Sequence, residues 1–207
     1  MQNDLFEKAP VHKAYFSFAL PVVFSMVISL IYNMADTYFI AGTGNTNLVA
    51  GVSLGAPIFT LMIALGDIFG LGGSSVISRL FGQKKDEDGK RLSVFCFYGA
   101  IVCGVIVAAV MMIFRAPILQ VLGADSDTIV YASQYYTYLV LGAPFIIVSY
   151  TPINQLRSEG FSKESMIGSV MGAVVNIILD PIFISVLGMG AGGAAIATIL
   201  GNVVTDI

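Results

Sequence analysis

The sequence has little charge: of 207 residues only 10 are Lys or Arg and 13 are Asp or Glu. That is about half the charge of a soluble globular domain, and with 57% hydrophobic residues it argues against a soluble enzyme. So few dispersed basic side chains cannot build a surface for phosphate backbones, which excludes nucleic acid as a partner. There is one histidine, His12, at a predicted membrane boundary. No zinc-ligand spacing and no Ser, His, Asp triad can be assembled from it, so catalysis has no visible apparatus. The two cysteines, Cys96 and Cys103, stand seven apart in one apolar run. On a helix they are about 10 Å apart, beyond disulfide reach.

Long uncharged runs fill the rest: Ala14 to Ala35, Leu92 to Phe114, Thr128 to Leu156 and Pro181 to Thr205. Each is near the ~20 apolar residues that an α-helix needs to cross a bilayer. The first run lacks a cleavage pattern and is expected to remain as a helix. The reading is all-α and polytopic, with helices at about 15–40, 50–80, 92–113, 130–153, 166–187 and 191–207. Turn-rich connections separate them, including Gly42 to Asn47, Gln83 to Arg91, Gly123 to Asp127, Arg157 to Glu164 and Gly188 to Gly190. Alternate loops place nine Lys and Arg on one side and only Arg115 on the other. Cytoplasmic loops retain positive charge, so the N-terminus is expected inside. The sixth helix stops after about 17 residues, which reads as a piece of a longer protein.

An ionisable side chain within hydrocarbon is costly and marks a functional candidate. Asp36, Asp67 and Asp180 are three. Helices one and five both run outward, so Asp36 and Asp180 fall in the outer half. Tyr32 and Asn176 each stand four residues earlier, on the same helix face, and Thr198 of helix six reaches a similar depth. Together these groups form a candidate site for a proton or small cation. Asp67 falls in the inner half among Gly66, Gly70, Gly72 and Gly73, and is expected to be structural or to line a cytoplasmic vestibule. The glycine cluster has no preceding strand and fits close helix packing better than a phosphate loop. Pro21, Pro57, Pro144, Pro152 and Pro181 lie in or beside the spans, where each can kink a helix, as suits a transporter that bends around a polar cavity.

Several segments in order resemble the N-terminal half of the multidrug and toxic compound extrusion (MATE) family. They are Pro21 and Asp36 followed by Gly42, then Ala50-Gly51-Val52-Ser53, Gly70 to Ser75 with Ser78-Arg79-Leu80-Phe81-Gly82, Leu156 to Gly160, and Asn176 to Pro181. The resemblance implies one six-helix lobe of a twelve-helix antiporter that exports lipophilic or cationic compounds against H⁺ or Na⁺, with no other cofactor. It implies a cation site at Asp36, Asn176, Asp180 and Thr198, with a coupling Na⁺, where that is the ion, at Asp36 and Asp180. Tyr32, Asn154 and Tyr136 are the candidate substrate-lining residues. The expected partners are the lipid bilayer, small drugs or cations, and a missing C-terminal lobe or second copy. The expected location is the inner (plasma) membrane as a multi-pass protein. The competing readings are a lipid-linked oligosaccharide flippase of the same superfamily and a non-transporting membrane scaffold.

Overall fold

The computed structural model describes residues 10–205, excepting the side chains of Val11 and Ala14, and among them every regular element is helical. Apolar segments in hydrocarbon must satisfy their own backbone groups, and helices do so within one segment. The first helix, α1 (Val11–Gly42), is unbroken and has Pro21 inside it. At 32 residues it is about 48 Å long, more than the ~30 Å hydrocarbon core.

The expected second helix is a composite over Thr46–Gly82. It comprises α2 (Thr46–Ser53), α3 (Ala56–Asp67), a π-helical turn (Ile68–Gly72) and α4 (Gly73–Gly82). Asn45 starts α2 by accepting hydrogen bonds from the Asn47 and Leu48 amides at 3.1 and 3.2 Å. Pro57 sits in the first turn of α3, where its missing N–H removes no helical hydrogen bond.

The third helix, α5 (Asp86–Ile113), begins six residues before the expected start. Its charged first turn, Asp86, Glu87 and Asp88, complements the positive end of the helix dipole rather than forming a loop. A short helix not read from the sequence, α6 (Arg115–Val121), precedes the turn at Gly123.

The expected fourth helix is two, α7 (Ile129–Leu141) and α8 (Ala143–Ser158), bent by 51° at Gly142. Pro144 directly after the bend supplies no N–H and its ring opposes the carbonyl four residues back, so the helix restarts there. The fifth, α9 (Ser162–Pro181), passes into a second π-helical turn (Ile182–Val186), closed by the Leu187 amide on the Ile182 carbonyl at 2.8 Å. Gly188 and Gly190, at φ of 65° and 53°, make the tight reversal into α10 (Gly190–Thr205). The last two residues of the expected sixth helix lie outside the described residues.

Four of these elements are long and apolar enough to span a membrane, five if the bent α7–α8 pair is one span, with α10 as a shorter apolar helix. The buried core centres on Met62, Tyr136, Leu139, Val140, Ile146, Ile147 and the Ala191, Ala194 and Ala195 stripe of α10. Small residues there let helices approach closely without a driving force from water. The apolar exterior, Phe24, Leu30, Ile106, Ile113 and Ile178 among many, is what lipid contact requires. The chain is thus a multi-pass membrane protein in build.

Candidate functional site

The site is assembled from three neighbouring helices, because α9 packs along both α1 and α10. Asn176 and Asp180 lie one turn apart on α9 and are 2% and 0% exposed, which is exceptional for a carboxylate. The Asn176 amide donates to Asp180 Oδ2 at 3.3 Å and accepts from the Thr198 backbone N–H at 3.2 Å, in the orientation that satisfies both groups. The Thr198 hydroxyl donates to the Ala194 carbonyl at 3.0 Å, which leaves its lone pairs for another partner.

Close helix approach makes this bridge possible. A methyl group at Gly201 of α10 would stand 3.0 Å from the Gly172 carbonyl and 3.1 Å from Cβ of Asn176. Glycine at 172 and 201 therefore sets the distance at which the Asn176 amide meets α10.

From the other side α1 presents Asp36 and Tyr32. The charge of Asp36 reaches Asp180, and both carboxylates reach Tyr32 and Tyr135 of α7. Asp180 Oδ1 and Asp36 Oδ1 are buried and have no hydrogen-bond partner among the described residues. A buried, unpartnered carboxylate oxygen is unfavourable by several kcal/mol on most scales unless a proton or cation accompanies it. Two carboxylates with an amide, a hydroxyl and phenols between them can share a proton or ligate a small monovalent cation. Among the described residues no three His, Cys, Asp or Glu side chains come together to hold a metal ion.

A cavity of about 610 Å³ begins directly below this cluster. Tyr32, Asn176 and Thr198 line the end nearest the carboxylates, and Asp67, Asn154 and Arg157 line the other. Asn154 Nδ2 donates to the Tyr150 carbonyl at 2.8 Å and approaches Asp67 Oδ1 at 3.5 Å. The π-helical turn after Asp67 brings Gly70 so close to α8 that a methyl there would lie 2.8 Å from the same Asn154 nitrogen. Asp67, read as structural or vestibular, is thus a lining residue of the cavity.

One expected lining residue is not brought to the site. Tyr136 is 1% exposed and its hydroxyl donates to the Met111 carbonyl at 2.5 Å, on the side of α7 away from the cavity. Its neighbour Tyr135 is buried as well, its ring packed beside Gly55, and it does not line the cavity either. Both tyrosines of α7 are core residues, and apolar periodicity alone does not separate a core-facing position from a cavity-facing one. Asp36, Asn176, Asp180, Thr198 and Tyr32 are brought together, the arrangement expected from depth and helix face, and Asn154 of α8 lines the same cavity as Tyr32, Asn176 and Thr198.

The MatE family model matches residues 21–182. The chain is similar to the multidrug export protein MepA of Staphylococcus aureus, 37% identical over 198 residues, which is 96% of this chain and 44% of that protein. MepA of Staphylococcus saprophyticus is 37% identical over 202 residues, 98% of this chain and 45% of that protein. Among solved structures, a multidrug resistance MATE family transporter in an outward-facing conformation superposes with a TM-score of 0.92 at 32% identity, over 99% of this chain and 45% of the other. The chain spans slightly under half the length of these relatives. On the extent of the family match, the chain belongs to the MatE family, whose relatives named here are transporters and not enzymes.

Proposed function

We propose that the intact protein is a secondary active exporter of lipophilic, often cationic compounds, driven by entry of H⁺ or Na⁺. The observation that carries this reading is the pair of buried, unpartnered carboxylate oxygens of Asp36 and Asp180 at the head of the 610 Å³ cavity. Asp36, Asn176, Asp180 and Thr198 hold the coupling ion, H⁺ or Na⁺. Tyr32 and Asn154 line the space for the exported compound. Occupancy by the ion removes negative charge from the cavity head and so weakens the hold on a cationic compound, which makes the two events compete. In this reading the helix carrying Asp36, continuous here, bends at Pro21 during transport, because the proline leaves the carbonyl four residues back without its helical donor.

The cavity is closed on its open side by a second lobe, supplied by a longer chain or a second copy, as the similarity to proteins about twice as long supports. The nine-to-one loop distribution of Lys and Arg supports a cytoplasmic N-terminus, in a protein of the plasma membrane on this reading. The test is ethidium efflux from a drug-sensitive host by wild type, Asp36→Asn and Asp180→Asn, with and without an uncoupler or Na⁺. Energised efflux by wild type and its loss in both variants is the expected result, and the ion dependence names the coupling ion. Retained efflux in both variants removes the cation site.

A further inference from the structure

The end of the cavity farthest from the carboxylate pair has its own charged groups, which the coupling site does not use. The lining runs along α9 from Ser169 to Asn176, and along α10 from Thr198 to Thr205. Seven residues of helix rise separate the two ends by about 10 Å. At the far end Asp67 closes α3 and Arg157 stands in the last turn of α8, both part-buried and both lining the cavity. Each lies in the Coulombic field of the other. Neither is free to swing away: Arg157 Nε donates to Ser165 Oγ at 3.0 Å, and Asn154, itself held by the Tyr150 carbonyl at 2.8 Å, stands against Asp67 Oδ1. A carboxylate and a guanidinium held on two packed helices that line one cavity are a charge filter, whose sign depends on which of the two is left uncompensated.

We propose that Asp67 receives the cationic group of a compound occupying this cavity and that Arg157 sets the strength of that hold by partly neutralising it. The site rests on the export reading above for its ligand class, and it is separate from Asp36 and Asp180. Substitutions at the two positions therefore act with opposite sign on cations and leave neutral ligands alone.

The test is equilibrium binding to the intact protein in lipid nanodiscs, read by fluorescence anisotropy, with ethidium as the cation and Nile red as a neutral probe. Asp67→Asn raises the ethidium Kd about tenfold and Arg157→Gln lowers it, while the Nile red Kd stays within about twofold in both. Asp67→Glu keeps the charge and retains wild-type ethidium affinity, which separates a charge effect from a folding defect. Equal shifts for both probes, or an unchanged ethidium Kd in Asp67→Asn and Arg157→Gln, overturns the proposal. Absent energised transport with the opposite-signed Kd pattern intact overturns the export reading alone. Energised transport with an unchanged Asp67→Asn Kd overturns this site alone.

Discussion

The two halves of the carboxylate cluster are held very differently. Asp180, Asn176 and Thr198 belong to α9 and α10, whose backbones meet at Gly172 and Gly201 and whose site side chains are almost fully buried. Asp36 and Tyr32 belong to α1, on which only Pro21, Ser25 and Ile40 are buried among the described side chains, while Leu20, Phe24, Leu30, Met34 and Tyr38 are exposed. One half is therefore a template buried between two helices, and the other is carried on a helix that packs chiefly against α9 alone. If the site binds the coupling ion as proposed, a division of this kind lets its affinity change by moving α1 alone, without disturbing the Asn176 bridge between α9 and α10.

The largest expected effect comes from destroying the template. Asp180→Asn abolishes energised efflux, yet it removes a buried carboxylate with one unpartnered oxygen, so the purified protein becomes more stable by about 1 kcal/mol, visible as a raised Tm in a thermal-shift assay. A lowered Tm with efflux retained goes against the template role. Next is Gly201→Leu, which forces α10 away from the Asn176 Cβ. Overpacking of this kind costs about 1–3 kcal/mol, so Tm falls and ion-dependent efflux is lost with it.

The α1 half makes a third prediction. Amide hydrogen exchange is faster along α1 than along α9 and α10, and Pro21→Ala, which restores a helical donor, slows exchange near Ser17 without shifting the overall Tm appreciably. Equal protection of α1 and α9 contradicts the division. The smallest effect lies outside the spans, where Asp125 Oδ1 accepts from the Thr128 hydroxyl at 2.7 Å and the Thr128 amide at 2.9 Å, bonds that hold its carboxyl below the ordinary carboxylate range. Because the folded value is depressed, the stabilisation is present above about pH 4 and is lost as pH falls through the folded value. Asp125→Asn flattens that acid limb of Tm against pH and leaves efflux unchanged.

Much of this was legible in the sequence because it depends on one residue's own helix. Charge inside an apolar run and four-residue spacing found Asp36 with Tyr32 and Asn176 with Asp180, and glycine pairs marked the turn at Gly188–Gly190. What escaped depends on where a helix breaks. The composite second span, the restart at Pro144 and the π-helical turn after Asp67 rotate side chains by amounts that periodicity does not carry. That is why Tyr136, expected to line the cavity, lies in the core instead, and why Asp67 shares a cavity with Arg157, 90 positions later. Proline itself was ambiguous: Pro57 and Pro144 open helices, while Pro21 and Pro152 lie inside them.

The most direct test of the central claim, that Asp36 and Asp180 are where ion and compound compete, is the ion released when ethidium binds to the purified intact protein. It is read by a pH indicator for H⁺ in weakly buffered solution and by displacement of radioactive Na⁺ in a parallel sample. Wild type is predicted to release one of the two ions in proportion to ethidium bound, and Asp36→Asn and Asp180→Asn to bind ethidium without releasing it. Undiminished ion release from the doubly substituted protein would contradict the account.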